Sequence, residues 1–156
     1  MNLRDYQDSD FEPVIQLWWE SWHSSSGYQH HRPIDDWKQR WRDIEAGHEV
    51  VVVVHHGEIT AFAALNLQTC VLSQLFVSPR WKRKGIGRRL LQWATAKCPT
   101  GFSLKTAADN HESRAFYSAM GMVEGDGQRP ALKGDRSIND FNGREEVEYF
   151  SKSREL

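Results

Sequence analysis

The chain has 156 residues, 39% hydrophobic and 26% charged, a composition typical of one globular domain rather than a disordered chain. Apolar runs such as 61–65 are far too short to cross a membrane, and the formal net charge of −1 favours no class of partner. Two cysteines, Cys70 and Cys98, do not make a disulfide framework, so we expect a reducing compartment, the cytoplasm. We treat residues 1–156 as a single domain.

The first third of the chain predicts two helices, at about residues 10–23 and 35–46, from the spacing of its apolar side chains. Their tryptophans at that spacing are expected in the core: Trp18, Trp22, Trp37 and Trp41. A run of five valines then predicts a buried strand at 49–55.

The rest of the chain alternates strands and helices. We predict strands at 59–67 and 70–77, a helix at 87–97, a strand at 102–107 and a helix at 112–120. Two late strands are predicted to flank the Asn142-Gly143 turn. This order predicts an α/β (α+β) fold in which helices flank a mixed, mostly antiparallel central sheet.

The charges are unevenly distributed along the chain. No Asp or Glu lies between residues 59 and 108, a stretch that we call the basic band. Its basic residues are Arg80, Lys82, Arg83, Lys84, Arg88, Arg89, Lys97 and Lys105. An acid-free basic band predicts a polyanionic ligand, either nucleic acid or a phosphorylated cofactor.

Within the basic band, a strand is followed by a basic loop and by two glycines that open a helix, Gly85 and Gly87. Unpaired N–H groups at a helix start, together with glycines that let a ligand approach, suit a phosphate. A P-loop would need Lys-Ser/Thr where Arg88 and Arg89 stand. A dinucleotide fingerprint would need a third glycine where Leu90 stands, and the strands before the loop are antiparallel.

The segment Lys82-Arg83-Lys84-Gly85-Ile86-Gly87 resembles the pyrophosphate loop of GNAT N-acetyltransferases, Arg/Gln-x-x-Gly-x-Gly/Ala, with Lys82 at the first position. The segment from Asn110 to Met122 resembles that family's Asn-x-x-Ala-x-x-Phe-Tyr-x-x-x-Gly-Phe block, with Ser113 and Met122 in place of alanine and phenylalanine. The resemblance covers residues 65–122 and implies a GNAT-like fold, with acetyl-CoA as co-substrate and an amine as acceptor.

The resemblance also implies roles for individual residues. Tyr117 would lie near the sulfur and protonate the leaving thiolate. Main-chain groups of one strand would hold the pantetheine arm, the basic loop the pyrophosphate, and Asn110 the pantetheine. The implied cofactor-binding residues are Leu75, Phe76, Val77, Lys82, Arg83, Lys84, Gly85, Ile86, Gly87, Arg88, Asn110 and Ser113. Without the resemblance, Asn110 would be interpreted as a helix N-cap and Tyr117 as a core aromatic.

The acceptor side is placed by the same resemblance at the first two helices and the loop between them. Trp19, Trp22 and Tyr28 are therefore our candidates for acceptor contacts.

The histidine pairs lack metal-ligand spacing, so we expect no metal. We expect neither a nucleic-acid nor a membrane partner, and a homodimer is compatible with the sequence. A non-catalytic acetyl-CoA sensor, or a nucleic-acid binder that uses the basic band, is the alternative.

No carboxylate is available as a general base on the strand before Leu75, because Ser73 and Gln74 stand there. Three routes for the acceptor's proton are open: a water chain, a base such as Glu20 or His23 from the first helix, or an acceptor that binds already neutral. We favour the water route and predict that no single side chain is indispensable.

Overall fold

The computed structural model describes residues 1–24, 33–125 and 146–151, with the side chains of residues 22–24 outside that description. Its helices are α1 (Phe11–Ser24), α2 (Ile34–Gly47), α3 (Ile86–Lys97) and α4 (His111–Ala119). Its strands are β1 (Asn2–Asp5), β2 (Glu49–His55), β3 (Glu58–Asn66), β4 (Val71–Val77), β5 (Ser103–Ala107), β6 (Val123–Glu124) and β7 (Glu146–Phe150).

The described strands form one sheet in the order β1-β2-β3-β4-β5-β7-β6. Every neighbouring pair is antiparallel except β4 and β5, which are parallel. The parallel pair is joined through α3, as parallel neighbours require a crossover. The mixed, mostly antiparallel sheet flanked by helices is thus confirmed.

Helices cover both faces of the sheet and divide the core into two clusters. On one face, Trp18 of α1 and Trp37 and Trp41 of α2 are fully buried. On the other face, α3 and α4 pack through Leu90 and Tyr117 among other side chains. The valines of β2 alternate between the two clusters, which explains why this strand is continuously apolar.

The sheet contains one strand that the sequence did not predict, and one predicted turn lies outside the description. The strand β1 was not predicted, since four residues with charged members carry little pattern, and it forms by pairing Leu3 with Val53 of β2. At the other edge, β7 pairs with β6, and the predicted Asn142-Gly143 turn lies outside the described residues. Within the described ranges, no helix has the length and apolar character needed to cross a membrane.

Cys70 and Cys98 form a disulfide, so the expectation that these two cysteines make no disulfide framework was wrong. Cys70 precedes β4 and Cys98 follows α3, and the helix returns the chain to the point where β4 begins. The two Cα atoms are therefore only 6.1 Å apart, within the usual disulfide range. This bond removes the sequence argument for a reducing compartment.

Candidate active site

The central feature of the site is a gap between β4 and β5. These strands pair only at Val71 and Ser103, where the Ser103 N–H donates to the Cys70 carbonyl at 3.0 Å. Beyond that point β4 continues to Val77 with β3 on one side and, among the described residues, no strand paired on the other. The result is a groove along the β5 side of β4.

The direction of the main-chain groups of β4 follows from its hydrogen bonds. The Ser78 N–H donates to the Thr60 carbonyl of β3 at 2.8 Å. Because successive residues of a strand point their N–H groups to opposite sides, Leu75 and Val77 direct theirs into the groove. These are main-chain donors that an extended ligand could pair with, as an added strand would.

A basic loop leads from the end of β4 to the start of α3. Arg83 has a φ of 62°, and Gly85, the N-cap of α3, has a φ of 79°. These left-handed residues turn the chain so that α3 begins at Ile86, nine residues after the end of β4. Free N–H groups and the helix dipole together favour an anion at this place.

Carboxylates from elsewhere in the chain neutralise three cations of the basic band. The ion pairs are Arg80 with Glu58 at 2.9 Å, Lys82 with Glu112 at 3.2 Å and Lys97 with Glu49 at 2.7 Å. In the part of the chain that the structure describes, the exposed residues Arg83, Lys84, Arg88 and Arg89 have no such partner. The positive charge left over is therefore concentrated around the start of α3.

Gly87 has a packing role that the sequence analysis did not foresee. A Cβ at this position would lie 2.8 Å from Cζ of Phe116 on α4, closer than side chains tolerate. The missing side chain therefore brings α3 against α4. Gly87 joins the basic loop to the helix that carries Tyr117, besides any contact that it makes with a ligand.

We predict that Gly87→Ala lowers the free energy of unfolding by about 1–3 kcal/mol, because the added methyl group overpacks this contact. Gly47→Ala is the matched control, since nothing lies within 4 Å of the added Cβ, and alanine's helix propensity should make it neutral or stabilising. Urea denaturation measures both. Phe116→Leu should reduce the cost of Gly87→Ala; an undiminished cost in that background contradicts the contact.

Asn110 and Tyr117 lie at opposite ends of α4. The Oδ1 atom of Asn110 accepts from the Ser113 N–H at 3.1 Å, so this side chain is the N-cap of the helix. No described residue accepts from its amide NH2 group, which could therefore donate to a ligand. Tyr117 is 7% exposed and packs against Phe116 and Tyr149. Burial raises the pKa of the Tyr117 hydroxyl, with a smaller contribution from Tyr149, so it stays protonated at neutral pH.

The predicted acceptor side is described only in part. Trp19 is partly buried and packs against the cluster of α1 and α2. The side chain of Trp22 and the whole of Tyr28 lie outside the described residues. Among the described residues, no group of His, Cys, Asp or Glu side chains could hold a metal ion.

One side chain that the sequence analysis did not single out reaches β4. His48, just after α2, has its Nε2 atom 2.8 Å from the Ser73 hydroxyl oxygen and its Nδ1 atom 3.0 Å from the Ile44 carbonyl oxygen. Ser73 lies at an irregularity where the β3–β4 register shifts. No spacing rule joins two residues 25 positions apart, so only the folded chain reveals this pair.

Comparison with known proteins identifies the family. The model of the acetyltransferase (GNAT) family matches residues 11–122, well over half of the chain. The chain belongs to the GNAT acetyltransferase family. A search of curated protein sequences found no match.

Solved structures share the GNAT fold at low sequence identity. The PaiA N-acetyltransferase of Thermoplasma acidophilum, in complex with coenzyme A, is 17% identical, covers 97% of this chain and 98% of its own, and has a TM-score of 0.71. A GNAT acetyltransferase of Staphylococcus aureus is 19% identical over 96% of both chains, with a TM-score of 0.71. YncA of Salmonella typhimurium, solved with acetyl-CoA, is 14% identical over 99% and 95%, with a TM-score of 0.69.

Proposed function

We propose that this GNAT protein transfers an acetyl group from acetyl-CoA directly to a primary amine of a small molecule or a protein. The observation that carries the proposal is the groove between β4 and β5, which opens beside cations at the start of α3 that have no carboxylate partner within the described ranges. An extended pantetheine arm suits the groove's main-chain donors, and a pyrophosphate suits the loop. Structures of similar fold hold coenzyme A or acetyl-CoA.

In this proposal the cofactor contacts are divided among three segments. Leu75, Phe76 and Val77 provide the main chain along the pantetheine. Residues 82–88 surround the pyrophosphate, with Lys82 exchanging Glu112 for a phosphate oxygen. Asn110 offers its amide group, and Ser113 lies at the same helix start.

Transfer then needs three events at the thioester. A neutral amine attacks the carbonyl carbon, and the Leu75 N–H polarises the carbonyl oxygen as negative charge develops on it. The C–S bond breaks, and Tyr117 gives its proton to the thiolate. Because burial raises its pKa, the Tyr117 hydroxyl is protonated at neutral pH and is a weaker acid than a thiol, so it gives up its proton only as the proton lost by the attacking nitrogen replaces it.

A non-catalytic acetyl-CoA sensor is the second candidate. The observation that favours it is the absence of an acidic residue on β4, where Ser73 and Gln74 stand. A sensor would bind acetyl-CoA without releasing thiol in the presence of any amine. We also propose that residues 1–156 form one domain. The cytoplasm stays a prediction from the sequence, without support from the cysteines, since these are joined in a disulfide.

The test combines binding and turnover with the full chain. Calorimetry measures acetyl-CoA affinity, and thiol release is followed with a panel of primary amines. The panel includes an alanine-initiated peptide, with an amine pKa of about 8, and Nα-acetyl-lysine amide, with one of about 10.4. We expect binding and turnover with at least one amine. Binding alone favours the sensor, whereas salt-sensitive DNA binding unaffected by coenzyme A overturns the proposal.

A further inference from the structure

We propose that a patch formed by His55, His56, Trp81 and Lys84 binds the 3′-phosphate of coenzyme A. The protein then distinguishes acetyl-CoA from acetyl-dephospho-CoA, the analogue that lacks this phosphate. We call these residues the histidine patch. The inference deepens the proposed function and rests on it, because it requires coenzyme A at the start of α3. It assigns a ligand to two histidines that the pyrophosphate site does not use.

The histidine patch lies where the turn between β2 and β3 meets the basic loop. The strand β2 ends at His55, and β3 begins at Glu58. Further along β3, the Thr60 carbonyl accepts from the N–H of Ser78, just after β4, at 2.8 Å. The turn and the basic loop are therefore at the same end of the sheet. The Trp81 ring joins them, because its centre lies 4.4 Å from that of the His55 ring.

The two histidines of the patch are in contact with each other. Their ring centres are 4.2 Å apart, with an angle of 74° between the ring planes. His55 is half-buried and His56 is exposed. Among residues 1–24, 33–125 and 146–151, none forms a hydrogen bond with the ring nitrogens of either histidine. Both rings can therefore donate a hydrogen bond to a ligand.

The charges that face His55 favour an anion. Partial burial lowers the pKa of His55. The positive charges of His56, of the Met1 amino group and of Lys84 lower this pKa further. An incoming phosphate dianion opposes these cations and stabilises the imidazolium form of His55, so the pKa rises on binding. Binding of a phosphate in the patch should therefore take up protons near neutral pH.

Acidic side chains do not cancel the charge of the patch within the described ranges. Glu58, the acid nearest in sequence to the two histidines, is paired with Arg80 at 2.9 Å. Lys84 has no carboxylate partner in that part of the chain. A phosphate monoester brings close to two negative charges and three acceptor oxygens, which suit an ammonium group and two imidazole rings.

The position of the patch relative to α3 selects the 3′-phosphate of coenzyme A. This phosphate is attached to the ribose whose 5′ carbon carries the pyrophosphate, so one sugar separates the two groups. Lys84 precedes Ile86, the first residue of α3, by two positions, which puts their Cα atoms at most about 8 Å apart. With the pyrophosphate at the start of α3, a group one sugar away is within reach of Lys84 and of the imidazole beside it.

The test compares the binding of acetyl-CoA and acetyl-dephospho-CoA to the full chain by calorimetry at pH 7. We expect the wild type to bind acetyl-CoA at least tenfold more tightly and to take up more protons with it, measured as heat that varies with the ionisation enthalpy of the buffer. His55→Gln should lower the affinity for acetyl-CoA at least fivefold and abolish the extra proton uptake. Its affinity for acetyl-dephospho-CoA should stay within twofold of the wild-type value, which excludes loss of the fold.

His55→Lys is the matched control, because it restores a cation at the same position but titrates far above pH 7. This variant should keep the preference for acetyl-CoA within threefold of the wild-type value and lose the extra proton uptake. Equal wild-type affinities for the two thioesters, or a preference that His55→Gln leaves unchanged, overturn the phosphate site but leave acetyl transfer standing. Inorganic phosphate that binds with proton uptake to a chain saturated with acetyl-CoA also overturns it, since the patch would then serve a separate phosphate. A wild type that binds neither thioester overturns both proposals.

Discussion

Tyr117→Phe is expected to slow acetyl transfer by about 10²–10⁴-fold while acetyl-CoA affinity stays within twofold of the wild-type value. The hydroxyl is the only group removed, and the ring keeps its contacts with Phe116 and Tyr149. The hydroxyl is protonated at neutral pH, because burial raises its pKa, and in the proposed transfer it is the proton source for the thiolate. Single-turnover thiol release, which reports the chemical step, measures the loss.

Tyr149→Phe is the matched control for this variant. Tyr149 packs beside Tyr117 in the same cluster, but its hydroxyl donates to Glu124 at 3.4 Å. Removing that hydroxyl should leave the chemical step within about threefold of the wild type. Wild-type single-turnover rates for Tyr117→Phe would show that the thiolate gains its proton from another source.

Reversing two charges at the start of α3, with Lys84→Glu and Arg88→Glu together, is expected to weaken acetyl-CoA binding by at least a hundredfold. That factor corresponds to about 2.8 kcal/mol. Both side chains are exposed and have no carboxylate partner among the described residues, so their charge is free to face phosphate. The helix itself should tolerate the change, because a glutamate in the first turn interacts favourably with the helix dipole.

The control is Arg89→Glu, which makes the same charge change one residue further along α3 and about 100° around the helix. We expect a loss below fivefold, and the loss should shrink as salt is raised. Calorimetry at two salt concentrations measures the loss of acetyl-CoA affinity in both variants and its dependence on salt. Equal losses for Arg89→Glu and the double variant would mean that the whole basic band, rather than the loop, attracts the ligand.

Much of this fold could be predicted from the sequence because its elements bury regular apolar patterns. The tryptophans of α1 and α2 repeat at helical spacing, and the valines of β2 form an unbroken run between two covered faces. The loop before α3 could also be located, since charge and glycine spacing are local properties. The interpretation of Asn110 as a helix N-cap is confirmed, because capping also depends on local sequence.

The features that could not be predicted depend on contacts between distant residues. The disulfide joins cysteines 28 positions apart, and the contact between Gly87 and Phe116 depends on the approach of two helices. His48 is a similar case, because its sequence neighbours mark only a helix end. Its contact with Ser73 depends on the register of three strands.

The groove between β4 and β5 has a fixed pivot at one end. There the Ser103–Cys70 hydrogen bond and the Cys70–Cys98 disulfide hold the strands and α3 together. A covalent cross-link at the pivot limits widening at that end, so any adjustment to an incoming cofactor falls on the opposite end, near Val77 and Ala107. The deep end of the groove, where an acyl group would lie, therefore has a nearly constant width. A longer acyl chain would need space along the length of the groove, because the disulfide keeps the strands from moving apart at this end.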